Sequence, residues 1–150
     1  MQVLRPGEFY FGAAGERIKT LLGSCIAITL WHPQRQIGGM CHFLLPASPN
    51  GLHPPYDARY ADHAMALFAL ELRKQRTSAD GYQVKIFGGA NMFPHIKSGS
   101  GDIGLRNIDA AREMLRSAGF KITDQHVGGT GHRTVILELS TGHTWIKWQG

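Results

Sequence analysis

Thr20-Leu21-Leu22-Gly23-Ser24-Cys25 runs straight into Ile26-Ala27-Ile28-Thr29-Leu30-Trp31, and after a polar break the chain resumes at Gly39-Met40-Cys41-His42-Phe43-Leu44-Leu45. Ile26 to Trp31 is short, apolar and rich in β-branched and aromatic residues, so it reads as a strand. Gly39 to Leu45 reads as a second strand. Pro33-Gln34-Arg35-Gln36 between them has the length and polarity of a hairpin connection.

Strand parity turns that hairpin into a statement about chemistry. A four-residue loop over 32–35 places Cys25 directly opposite His42. A loop over 33–36 makes them diagonal neighbours on one face. An odd loop puts them on opposite faces. With an even loop the hairpin supplies a thiol and an imidazole to the same side of a sheet.

That pairing matters because the nucleophile is the thiolate, whereas a free thiol is mostly protonated at neutral pH. A neighbouring histidine takes the proton, stabilises the thiolate as an ion pair and later protonates the leaving group. The small Gly23-Ser24 pair lets backbone N–H groups approach a developing oxyanion. Thr20 can orient the imidazole through its hydroxyl. The competing account makes Cys25 an inert buried cysteine and His42 a satisfied core histidine.

These residues also carry a resemblance. Thr20-Leu-Leu-Gly-Ser-Cys25-Ile-Ala-Ile and Gly38-Gly39-Met-Cys-His42-Phe-Leu-Leu-Pro46 resemble the CheD family of chemoreceptor glutamine deamidases. Lys85-Ile-Phe-Gly-Gly-Ala-Asn-Met92, Ile103-Gly-Leu-Arg-Asn107, Gly128-Gly129 with Arg133, and Thr141-Gly142 match in order. The resemblance implies a Cys–His–Thr site, with Cys25 as nucleophile, His42 as base and Thr20 as orienting hydroxyl. Some members carry one more residue between the threonine and the Gly-Ser-Cys turn. The implied substrates are methyl-accepting chemotaxis receptors, whose glutamine side chains are hydrolysed to glutamate, with receptor glutamate methyl esters as further substrates. A CheC-type phosphatase is an implied partner. The implied fold is an α/β/β sandwich similar to the catalytic domain of cytotoxic necrotizing factor toxins.

Size and composition are compatible with that reading. The chain has 150 residues, enough for one domain over 1–150 that buries roughly 70% of its unfolded surface. Apolar residues make up 43% and charged residues 18%, as in soluble globular proteins. No apolar run approaches membrane-span length and the N-terminus lacks a signal-peptide pattern, so the expectation is a cytoplasmic protein without membrane insertion. Two cysteines make no disulfide framework. The formal charge of +5 favours acidic partners, but no basic and aromatic platform for nucleic acid is present. Arg73-Lys74-Gln75-Arg76, the one basic cluster, reads as a solvated helix end.

Outward from the hairpin, Gly7 to Phe11 is a short candidate strand and Arg17 to Leu22 alternates polar and apolar residues. Four prolines and Gly51 between Pro46 and Pro55 forbid regular structure, giving a loop that either walls the site or merely connects. Asp57 to about Gln75 reads as a helix with a stripe of Ala61, Met65, Phe68 and Leu72, widened by Ala64 and Leu67, and with His63 outside. Val84 to Phe87 is a strand entering Gly88-Gly89-Ala90-Asn91, where paired glycines point either to close backbone approach or to tight turning, and the resemblance implies a place near the site at which Asn91 polarises a substrate amide. A second helix follows, with Asn107 as its N-cap, Ile108, Ala111, Leu115 and Ala118 as its stripe, and Gly119 after its last turn. Lys121 to Val127, Thr134 to Leu139 and Thr144 to Trp148 close the chain as strands, Val135, Leu137 and Leu139 marking a buried face.

Other constellations fail on context. Gly99-Ser-Gly-Asp-Ile-Gly104 fits the dinucleotide pattern, but Ala90 to Ser98, with Pro94, separates it from the preceding strand, so it reads as a flexible loop. Adjacent Cys41 and His42 point to opposite faces of a strand, and no metal-ligand spacing occurs. No metal and no cofactor are expected. His32 sits at the hairpin turn; His53, His95, His126, His132 and His143 lie in or beside loops and are assigned to the surface.

The element pattern predicts a single α+β domain with mostly antiparallel sheets and two helices, and the resemblance implies that these form an α/β/β sandwich. The expected activity is cysteine-dependent protein-glutamine deamidation by Cys25, His42 and Thr20, with Gly23, Ser24 and Asn91 contacting substrate. The rival readings are a non-catalytic binding module for receptors or the phosphatase, a cysteine peptidase or transglutaminase using the same pair, and a nucleic-acid binder.

Overall fold

A computed structural model of the chain describes residues 1–95 and 102–150. In chain order its elements are β1 (Gln2–Leu4), β2 (Phe9–Ala13), β3 (Arg17–Leu22), β4 (Ile26–His32), β5 (Ile37–Phe43), α1 (Ala61–Gln75), β6 (Gln83–Gly88), α2 (Ile103–Ser117), β7 (Ile122–Val127), β8 (His132–Glu138) and β9 (Thr144–Gln149). The strands form a four-stranded sheet, β1-β3-β8-β9, and a five-stranded sheet, β2-β5-β4-β6-β7. Among the strands of the described residues, only β1·β3 and β6·β7 pair in parallel. The latter pair needs a crossover, and α2 supplies it.

Three layers follow from how β4, β5 and β6 divide their side chains. Ile26, Ile28, Leu30, Cys41, Phe43, Val84 and Ile86 pack with Ala64, Phe68 and Leu72 of α1 and Ile108, Ala111 and Leu115 of α2. The alternate residues Ala27, Trp31, Met40 and Phe87 pack with Ile18, Leu22, Val135 and Leu137 of the other sheet. Helices, central sheet and second sheet therefore stack in that order, as the α/β/β reading expected. Because the central sheet is covered on both faces, β4 and β5 are buried almost without a break rather than alternately. The second sheet has one face open, so β3 and β8 alternate.

Several local expectations are corrected. α1 begins at Ala61, four residues after Asp57, and ends where Arg76 turns left-handed at φ 56°. His63 is buried, not exposed: Nδ1 accepts the Asp57 N–H at 2.8 Å, and Nε2 donates to the Gly51 carbonyl at 2.8 Å. With Ser48 N–H donating to Asp62, this pins the proline-rich loop to the start of α1. α2 begins at Ile103, and its N-cap is Asp102, whose carboxylate accepts from Gly104 and Leu105 N–H. Asn107 is thus a turn inside the helix, not at its cap. Gly119, at φ +84°, follows the helix end as expected. Of the dinucleotide-like pattern and the flexible-loop reading given to it, Gly99 to Gly101 lie outside the described residues, and Gly104 sits in the first turn of α2.

Candidate active site

The hairpin loop occupies 33–36, since His32 pairs with Ile37, and Ala27 therefore pairs with His42. Cys25, two residues before Ala27, is the diagonal neighbour of His42, the second of the two even-loop registers. Cys25 packs against the inter-sheet cluster and is half-buried. Cys41 packs on the helix side, away from His42. The thiol and the imidazole thus share the face between the two sheets.

His42 is held from the second sheet. Thr20, on β3, is 1% exposed, as is His42. Thr20 Oγ1 lies 2.7 Å from His42 Nδ1 and 2.9 Å from the Leu4 carbonyl, which the parallel pairing of Leu4 with Thr20 brings alongside. A hydroxyl has one proton, and a carbonyl can only accept, so Thr20 donates to Leu4. Nδ1–H must then donate to Thr20, which leaves the lone pair of the neutral ring on Nε2. Nε2 is buried and has no hydrogen-bond partner among the described residues. The ring thus presents an unoccupied base.

Burial sets the resting charge state. It pushes the Cys25 thiol above its ordinary value. It pushes His42 down to about 4, the Glu8 carboxylate opposing weakly. Both groups are therefore neutral at pH 7, and no hydrogen bond joins Sγ to Nε2. At rest the two groups therefore form a neutral pair. In such a pair the proton moves as the sulfur attacks.

The Gly23-Ser24-Cys25 turn is fastened through its carbonyls. Ala90 N–H donates to Gly23 O at 3.0 Å, Gly89 N–H donates to Cys25 O at 2.9 Å, and Asn107 Nδ2 donates to Ser24 O at 3.1 Å. The N–H groups of Gly23, Ser24 and Cys25 donate to no acceptor among the described residues. Unpaired N–H groups flanking the nucleophile are what an oxyanion requires. A Cβ on Gly23 would lie 3.1 Å from the Met92 sulfur, so a side chain there would have to push that thioether aside.

Asn107 went unrecognised as a site residue. It is fully buried in α2, and Nδ2 also donates to Leu44 O at 2.8 Å. One amide therefore ties the nucleophile turn to the residue two beyond His42. Its Oδ1 has no partner among the described residues, which costs about 1–3 kcal/mol and marks a position held for geometry. The signal in the sequence was its spacing: Asn107 falls on the apolar stripe with Ile108, Ala111 and Leu115. The paired glycines let α2 come this close. Gly88 and Gly89 have φ of +106° and +69°, and a Cβ on Gly89 would sit 2.4 Å from Ile108. Asn91 stands beside this turn, with its N–H on Gly129 O and Oδ1 accepting from Phe93 N–H.

Comparison with known proteins gives the family. The sequence profile described as CheD chemotactic sensory transduction matches residues 44–148. A Pseudomonas fluorescens protein named probable chemoreceptor glutamine deamidase CheD is 44% identical over 98% of this chain and 84% of its own length. The chain belongs to the CheD family. A Pseudomonas syringae pv. tomato member of that name is also 44% identical, over 98% of this chain and 88% of its own. A Leptospira interrogans member, named a probable chemoreceptor glutamine deamidase CheD 1, is 38% identical over 96% and 90%. The profile match begins after Thr20, Cys25 and His42, whereas these CheD alignments cover nearly the whole chain. No helix among the described residues is long and apolar enough to cross a membrane.

Proposed function

We propose that the chain, as one domain over 1–150, hydrolyses glutamine side-chain amides of chemotaxis receptors to glutamate, with Cys25, His42 and Thr20 as its machinery. The carrying observation is the orphaned Nε2 of His42, its tautomer fixed by Thr20, on the face it shares with Cys25. The Cys25 sulfur attacks the amide carbon while its proton passes to Nε2, and the carbonyl oxygen takes the negative charge beside the turn's N–H groups. Collapse breaks the C–N bond, and the nitrogen leaves as ammonia with the proton from Nε2. Water then adds to the thioester, giving its proton to Nε2, and the carboxylate departs as the thiol reforms. Throughout, Nδ1–H donates to Thr20, so the ring keeps its orientation in both charge states. Gly23 and Ser24 supply the oxyanion N–H groups, and Asn91 orients the amide.

A glutamate methyl ester enters the same route with methanol as leaving group. The receptor assignment is supported by the names of the relatives, and work in the cytoplasm is part of the same proposal. A CheC-type phosphatase as binding partner, by family resemblance, completes the reading. The neutral, unbonded thiol gives one observation to the rival reading of a non-catalytic binding module. Purified receptor incubated with wild type and with Cys25→Ala separates the two. Deamidation releases ammonia only with wild type and adds about 1 Da per site, whereas peptidolysis shortens the receptor and transglutamination joins chains. No ammonia from wild type leaves the binding module.

A further inference from the structure

Among the described residues, Arg133 is the one buried charge at this end of the molecule that the reaction does not use. It is 2% exposed, on the inner face of β8 opposite Leu22 of β3. Nε donates to His126 Nδ1 at 2.8 Å, Nη2 to Gly128 O at 2.7 Å and Nη1 to Gly88 O at 3.4 Å. A guanidinium has five N–H bonds, so one on each terminal nitrogen is left over.

All three acceptors are neutral. The ion pairs among the described residues are Arg59–Asp57, Lys74–Glu71 and Arg116–Glu113, and none reaches Arg133. All 11 Asp and Glu residues of the chain lie in the described part, so no undescribed acid can be the counter-ion. Burial pushes the Arg133 pKa down, and no carboxylate acts to raise it. A permanent cation buried without a counter-charge is costly, and such charges are paired in folded proteins.

The counter-charge has a place to come from. A cavity of about 300 Å³ is lined by Arg133 with Gln125, His126, Gly128, Gly129 and Trp148. The Arg133 guanidinium lies 5.1 Å from the Trp148 ring centroid, and Trp148 is 48% exposed. Because His126 Nδ1 accepts from Arg133, the proton of the neutral His126 ring is on Nε2, a further donor on the cavity wall. The assignment of His126 to the surface without a chemical partner is corrected accordingly. The cavity adjoins the nucleophile turn: Gly128 N–H donates to Gly88 O, and Gly89 N–H donates to Cys25 O. The route crosses from β4 through β6 to β7, roughly 10 Å at the usual strand spacing.

We propose that this cavity is a carboxylate-binding subsite, which takes the side chain of an acidic residue flanking the target glutamine in the polypeptide substrate. It rests on Cys25 being the nucleophile toward glutamine. The leftover N–H of each terminal nitrogen bonds the carboxylate, with Trp148 covering the pair. A span of roughly 10 Å corresponds to about three residues of extended chain or about seven of helix, so the acid sits at one of those spacings.

The test uses synthetic peptides with one glutamine and either Glu or Ala three or seven residues to each side. Binding is measured by calorimetry to Cys25→Ala protein and turnover by ammonia release with wild type. The Glu peptide of the correct spacing binds about tenfold tighter than its Ala counterpart, and the ratio falls below about twofold in Cys25→Ala/Arg133→Gln. If that double variant does not fold, as read by its melting curve, Cys25→Ala/Trp148→Ala is expected to reduce the ratio likewise. Equal binding of Glu and Ala peptides at every spacing overturns the subsite, as does an advantage undiminished by these variants. The two readings fail separately. Ammonia released equally from both peptides leaves the reaction standing without the subsite. A Glu advantage in binding with no ammonia from any peptide leaves the subsite standing without the reaction.

Discussion

Acidification tests the state assigned to His42 in quantity. The ring is 1% exposed and its pKa is pushed from 6.5 to about 4, so exposed-site screening does not dilute the effect. Between those values the unfolded chain binds a proton that the folded chain excludes, so stability falls as pH falls from about 6.5 to about 4. The contribution is complete above 6.5. The full shift corresponds to about 3 kcal/mol, and a drop from pH 7 to pH 4.5 forfeits about 2.5 kcal/mol of it. Other titrating groups, including buried His63, contribute their own slopes, so the comparison is with His42→Gln, which cannot titrate. Urea unfolding of both proteins at both pH values gives a difference of differences. At a slope of about 2 kcal/mol/M, the wild-type midpoint falls by about 1 M more than that of His42→Gln. Parallel losses, within about 0.5 kcal/mol, would show that the fold does not hold the ring neutral, and the base assignment would fall with it.

Thr20→Val removes the acceptor that fixes the imidazole tautomer while keeping shape; kcat falls roughly tenfold to a hundredfold, whereas Thr20→Ser, which restores the hydroxyl, recovers most of it. Asn107→Ala frees the nucleophile turn from β5, lowering stability by about 2 kcal/mol in denaturant melts and cutting kcat more than KM changes. Alkylation of Cys25 by iodoacetamide across pH 5 to 10 rises with an apparent pKa above the roughly 8.5 of a free thiol, because burial and not an ion pair dominates the resting state. A fast plateau below pH 6 would contradict that.

The hairpin was legible because parity is a strict property of strands: once the loop is even, Cys25 and His42 share a face whatever the twist. The layer order came with the family resemblance alone, and the alternation in β8 showed only that one face of its sheet is buried. What escaped depends on contacts distant in sequence. β1 has only Gln2, Val3 and Leu4, too short to show a period, yet its Leu4 carbonyl decides the Thr20 proton. Asn107 has the chemistry of a cap, but Asp102, five residues earlier, caps the helix, and the amide turns inward. Arg133 was within reach. It continues the alternation of Val135, Leu137 and Leu139 backward by two, which puts a guanidinium on a buried face. Its bond to His126 was not readable, since β7 and β8 belong to different sheets.

The most direct measurement is mass analysis of a purified receptor fragment after incubation in ordinary water and in H₂¹⁸O, with wild type, Cys25→Ala and His42→Gln. Hydrolysis through a Cys25 thioester adds about 1 Da per modified glutamine in ordinary water and about 3 Da in H₂¹⁸O, with wild type alone at full rate. A mass gain that persists with Cys25→Ala, or wild type that leaves every glutamine unchanged, would contradict it.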